Sequence, residues 1–154
     1  MLRPYSTFSR TAHRQGGNAL VEFAVMLPSL VLLLALLGEG AAMLSSYEVV
    51  VNAARAGARL SAVPGELGRT SDVVNRVLAY ASANGITLSA GNVSVQQAVL
   101  LLPGGGTCGI GNPCILASRV AVTDPYTLHY LPKLPFGIPT TAQLGAVAIM
   151  RNFY

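Results

Sequence analysis

Charge is scarce in this chain: of 154 residues, ten are Lys or Arg and six are Asp or Glu. Glu66, Asp72 and Asp124 stand too far apart for the dense acidic spacing of a calcium loop. The net charge of +4 comes from scattered arginines with no basic stripe interleaved with aromatics, which excludes nucleic acid as a partner. Two cysteines, Cys108 and Cys114, are too few for a structural zinc site, and neither His13 nor His129 is near them to complete one, so no metal is expected. No serine sits in a Gly-x-Ser-x-Gly turn, and the glycine run at 104–106 has no Walker lysine behind it, so it reads as a flexible turn. His129 and Asp124 share the segment DPYTLHYLP without a nucleophile to activate, and His129 reads as an ordinary polar loop residue. No catalytic residue and no cofactor are assigned, and the chain does not read as an enzyme.

What the sequence does have is one long apolar run. Residues 14–44 read RQGGNALVEFAVMLPSLVLLLALLGEGAAML, and between 18 and 37 only Glu22 is ionisable. About 20 mostly apolar residues are what a helix needs to cross a bilayer. Arg3, Arg10 and Arg14 precede the run with no acid before Glu22, and the positive-inside rule holds such a flank in the cytoplasm, sending the carboxyl-terminal part outward. A cleaved secretory signal, cut among the small residues 38–42, is the rival reading; the length of the run and the acid within it count against it. Pro28 is expected to disturb the turn that would bond the Ala24 carbonyl, with Ser29 beside it to satisfy freed backbone.

Glu22 lies one turn inside this run, where a carboxylate is expensive and calls for a reason. The order here is glycine, four mostly apolar residues, glutamate and an aromatic: Gly17, then 18–21, then Glu22 and Phe23. With the basic lead-in and with YEVVVNAARAGAR further on, the sequence from Arg14 to about Ala62 resembles the TadE-like minor pseudopilins of the tight-adherence, Flp-type pilus and secretion machinery. The resemblance implies a bacterial inner-membrane protein with a cytoplasmic amino end, cut by a prepilin peptidase between Gly17 and Asn18. It implies pilin or pseudopilin subunits and an inner-membrane assembly platform as partners, with the chain possibly carried into a pilus. Cleavage would leave a cationic amine on Asn18, and Glu22, with Phe23 beside it, would meet the amine of a neighbouring subunit where screening is weak. The alternative is an unprocessed single-pass anchor that presents an extracytoplasmic binding domain.

Beyond Glu39 the apolar pattern becomes periodic. Leu44, Tyr47, Val51, Ala54 and Ala58 recur at three- and four-residue steps and are expected to form the packed stripe. Ala53, Ala54, Gly57 and Ala58 allow another backbone to approach closely, and Arg55 and Arg59 share a solvated face. Pro64 and Gly65 stop the helix. A second helix is signalled by Thr70, Ser71 and Asp72 as cap candidates, by Val73, Val74, Val77, Leu78 and Ala81 as its stripe, and by Asn84 and Gly85 as its end. Alternation at 93–102, 120–122 and 144–150 predicts three antiparallel strands. The Cys108 and Cys114 loop would join the first two, the cysteines reading first as a disulfide and second as free thiols. The proline-bearing stretch 124–141 reads as a surface loop. The expected class is α+β: a leader at 1–17, a transmembrane helix at 18–40, and a head at 41–154 with a helix packed on about three strands.

Overall fold

One helix, α1 (Asn18–Ser61), runs 44 residues without interruption, about 66 Å at 1.5 Å per residue. It is seen in a computed structural model that describes residues 18–101, 114–129 and 140–153. A short helix α2 (Thr70–Ala83) follows, then strands β1 (Val93–Leu101), β2 (Ile115–Thr127) and β3 (Thr141–Arg151). The strands form one antiparallel sheet in the order β1-β2-β3. The α+β expectation holds, including the continuous helix and the count of three strands.

The lower half of α1 is uncovered, and the head packs on its upper half. Pro28 leaves the helix unbroken. The Ser29 hydroxyl donates to the Met26 carbonyl at 2.7 Å, not to the Ala24 carbonyl that Pro28 leaves without a donor. Higher up, the buried stripe is rotated from the expected one: Val50, Ala53, Ala54 and Ala58 are fully buried, whereas Leu44 and Tyr47 are exposed. Two stripes at helical spacing compete on this segment, one of large residues and one of small. Small side chains let a sheet and a second helix come close on both flanks of the rod, so the alanine and glycine face wins the core.

Gly57 marks the tightest point. A Cβ there would stand 2.5 Å from Val77 Cγ2 and 3.4 Å from Val120 Cγ1, so α1 touches α2 and β2 at one residue that only glycine fits. Around it Val50, Val73, Val77, Val120 and Val122 are fully buried, each worth about 1.5–3 kcal/mol relative to exposure. Helix α2 contributes Val73, Val77 and Ala81 as buried residues, while Val74 and Leu78 are half-buried. Its start differs from expectation. The cap position is Arg69, which makes no side-chain cap bond, and Thr70, Ser71 and Asp72 form the first turn, with Asp72 paired to Arg69 at 2.6 Å. Its end is a Schellman closure: Gly85 has φ +81°, Ile86 N–H bonds the Ala81 carbonyl and Gly85 N–H that of Ser82.

The two apolar runs at 93–95 and 98–102 are one strand with a bulge. Gln96 faces Arg119 and Val99 faces Ala117, so Gln97 and Ala98 together oppose Ser118, and Ala98 takes the left-handed φ of 57°. The extra residue lets Gln97 turn to the carboxyl end of α1. Gln97 Nε2 donates to Ser61 Oγ at 3.1 Å and to the Glu66 carbonyl at 2.9 Å, and its Oε1 accepts the Gly68 N–H at 2.7 Å. Beside it, Ser118 Oγ lies 3.2 Å from the Ser61 carbonyl and 2.8 Å from Asn152 Oδ1. A polar clasp thus holds the top of α1 to the sheet.

The segment expected as a loop from 124 belongs in its first part to β2, which pairs with β3 out to Thr127 and Thr141. Pro125 is tolerated because β1 stops pairing at Val122, leaving one side of β2 open where a missing N–H costs least. Residues 102–113, with Cys108 and the connection between β1 and β2, lie outside the described residues. Cys114, just before β2, is not a free thiol.

The contact at Gly57 yields a stability test. Gly57→Ala should lower the thermal midpoint of the detergent-solubilised chain by an amount corresponding to about 1–3 kcal/mol, since stiff Val77 must move. Gly40→Ala, with nothing within 4 Å of the new Cβ, should leave the midpoint at or above its original value.

Candidate assembly site

The amino-terminal half of α1 presents its side chains outward on every side. No residue of its most apolar 18-residue window is buried, and Leu20, Phe23, Val25 and Met26 are all more than half exposed. A helix this apolar and this bare has the length and composition of a single-pass membrane anchor. Glu22 stands on that surface with Phe23 next to it, a little over one turn from the helix start at Asn18. Gly17 lies outside the described residues, so the bond between Gly17 and Asn18 does too. The fold brings Glu22 and Phe23 together only as neighbours on the helix. Cys108 and Cys114 belong to the far end of the head, away from both.

A second acid, Glu39, was not assigned a role from sequence, and the structure makes it the junction between rod and head. Its residue surface is 4% exposed. Tyr126 Oη donates to Glu39 Oε1 at 2.8 Å, and the His129 backbone N–H donates to Glu39 Oε2 at 2.9 Å. The Tyr126 and His129 rings lie 5.6 Å apart, tilted by 57°. The end of β2 is therefore bound down against α1 where the long apolar run gives way to the head. Charge-assisted bonds to a buried carboxylate are about twice as strong as neutral ones, which suits a joint between a bare rod and a packed domain. His129 enters through its backbone, in keeping with a side chain that carries no chemistry. The signal for Glu39 was an acid set between two glycines at the end of an apolar run. Its partners, 87 and 90 residues away in sequence, left no local trace.

Asp124 lies one alternation above Tyr126 on the same face of β2 and is 8% exposed. Among the described residues its carboxylate has no hydrogen-bond or ion-pair partner, and burial raises its pKa above the usual carboxylate value.

Comparison with known proteins adds one finding. The family model described as TadE-like protein matches residues 17–59, from the residue before α1 to the turn below its end. The chain carries the TadE-like segment as the whole of its long helix, while α2 and the sheet lie beyond the match. Neither the curated proteins nor the solved structures provide a match.

Two measurements follow from these acids. Tyr126→Phe leaves a buried carboxylate oxygen short of a donor, so the chain should lose about 1–3 kcal/mol of stability and the His129 amide should exchange its hydrogen faster. Asp124 binds its proton more tightly folded than unfolded, so its contribution is most favourable in acid and is lost as pH rises through the raised folded pKa. Asp124→Asn should accordingly melt above the unsubstituted chain at pH 7, with the gap closing as pH falls below the ordinary carboxylate range.

Proposed function

We propose that this chain, TadE-like over its long helix, is a minor pseudopilin: a structural, membrane-anchored subunit in the assembly of a tight-adherence pilus or secretion apparatus. The observation that carries the reading is the coincidence of three boundaries. The family match begins at Gly17, the helix begins at Asn18, and Glu22 follows in the first turns of an uncovered apolar surface. In this reading a prepilin peptidase on the cytoplasmic side removes 1–17. Glycine before the cut puts no side chain in the way of the protease and leaves the backbone free to extend.

The new amine on Asn18 gives Glu22 a partner. A carboxylate at this depth is costly alone, and a cation from an adjoining subunit in a weakly screened medium offsets that cost. The anchor is residues 18–40, the bacterial inner membrane is its site, and the head at 41–154 faces outward, following the arginines before the run. The head then meets sister subunits, and a disulfide between Cys108 and Cys114 closes its first hairpin in a compartment that permits oxidation.

The test is the mass of the chain recovered from membranes of cells that hold the intact assembly system. A terminus at Asn18 is expected. Retention of 1–17 in the assembled form would overturn the reading in favour of an unprocessed anchor carrying a binding domain. Gly17→Ala should slow processing. Glu22→Ala should leave insertion intact and reduce assembled material, and unchanged assembly would remove the pairing role of Glu22.

A further inference from the structure

On the face of α1 turned away from the core, Leu44, Glu48, Asn52, Arg55 and Arg59 follow one another at three- and four-residue steps, and all are exposed. They make a single ridge, and nothing in the head covers it. Grooves flank the ridge on both sides. One, of about 600 Å³, lies against α2 and is lined by Arg55, Arg59, Arg76 and Tyr80; the other, of about 620 Å³, lies against β3 and is lined by Tyr47, Val51, Arg55 and Arg59. Two arginines thus face both grooves, a third faces one, and no acid lines either. Among the described residues the ion pairs are those of Arg69 with Glu66 and Asp72. Arg55 makes only a long 3.5 Å bond to Asn52 Oδ1.

Lipid headgroups are not the counterpart. Arg55 and Arg59 lie 15 and 19 residues past Gly40, about 22 and 28 Å along the helix, and the Debye length at physiological salt is about 8 Å. The counterpart the ridge itself offers is Glu48. Within one chain Glu48 stands about 10.5 Å below Arg55 along the axis, too far to pair. Copies inserted with the same orientation have parallel helices, so axial displacement is their main freedom. Level copies set Glu48 against Glu48 and Arg55 against Arg55, which repel. A copy raised by seven residues sets its Glu48 against the Arg55 of its neighbour. Leu30, Leu37 and Leu44 repeat at the same seven-residue step and are exposed, so the raised copy also sets leucine on leucine.

We infer that the Leu44-to-Arg59 ridge of α1 is a docking surface for a second copy of this chain, parallel and raised by two helical turns, with Glu48 of the upper copy between Arg55 and Arg59 of the lower. Raising one copy lifts two turns of apolar helix past its neighbour, so the pairing rests on the reading of the chain as an assembly subunit. The displacement has the same sign as the four-residue step between Asn18 and Glu22.

The test is disulfide cross-linking of the full chain in cells with the assembly system intact. In the double variant Glu48→Cys with Arg55→Cys, the two thiols of one copy are too far apart to join each other, so any new covalent species links two copies. Mild oxidation should give dimers and a ladder of higher multimers, because each copy has one thiol for the neighbour above and one for the neighbour below. The single variants should give few or none. Charge reversal adds a second readout: Glu48→Arg or Arg55→Glu alone should reduce assembled material about tenfold through like-charge contact, and the two together should restore it. Absence of the ladder in chains whose terminus is Asn18, whether another subunit or an anionic polymer fills the ridge, overturns this inference and leaves the proposed function standing. Dimers of equal yield from the single variants mean level copies and overturn it as well. A ladder formed by chains that retain 1–17 upholds the register and overturns the processing.

Discussion

The head depends on how closely α1 can be approached. At Gly57 one residue of the rod meets Val77 of α2 and Val120 of β2, and Ala53, Ala54 and Ala58 carry the same low profile to either side. Van der Waals attraction fades within a fraction of an ångström, so this shared contact decides whether α2 and the sheet pack on the helix as one core. The large residues of the same helix are excluded from that contact by their size. They are left as an outward ridge, and the core and the free surface are two consequences of one constraint.

Apolar packing is not directional, and two polar joints supply direction at the ends of the packed segment. At the top, Gln97, Ser118 and Asn152 converge on Ser61, made possible by the bulge that turns Gln97 inward. At the bottom, Glu39 receives Tyr126 and the backbone of His129. Between them the sheet cannot slide along α1 without leaving buried polar groups unpaired, a cost of a few kcal/mol for each. A rod that transmits force from a membrane to a head, as in the function proposed, is well served by joints at both ends of their contact.

Much of the fold was legible because it rests on local patterns. The apolar run, the stop at Pro64 and Gly65, the end of α2 at Asn84 and Gly85, and the alternation of the strands each follow from side-chain size and backbone freedom over a few residues. What misled was a choice between equivalents. Leu44, Tyr47 and Val51 keep helical spacing as faithfully as Val50, Ala53 and Gly57, and no local rule says which set the sheet covers. Pro125 read as a loop residue because the unpaired side of β2 beyond Val122 is a property of the sheet. The Glu22 pattern was local and readable, whereas Glu39 was passed over because its partners lie at the far end of the chain.

By itself the sequence determined that a bare apolar helix begins at Asn18 with an acid in its first turns, and that a small α+β head follows, since both depend on composition and period along a continuous segment. Only the tertiary structure decided which stripe of that helix is core and which is left to a partner, and that Glu39 ties rod to head. Those outcomes depend on which residues, scores of positions apart, come within the few ångströms over which packing and hydrogen bonds act.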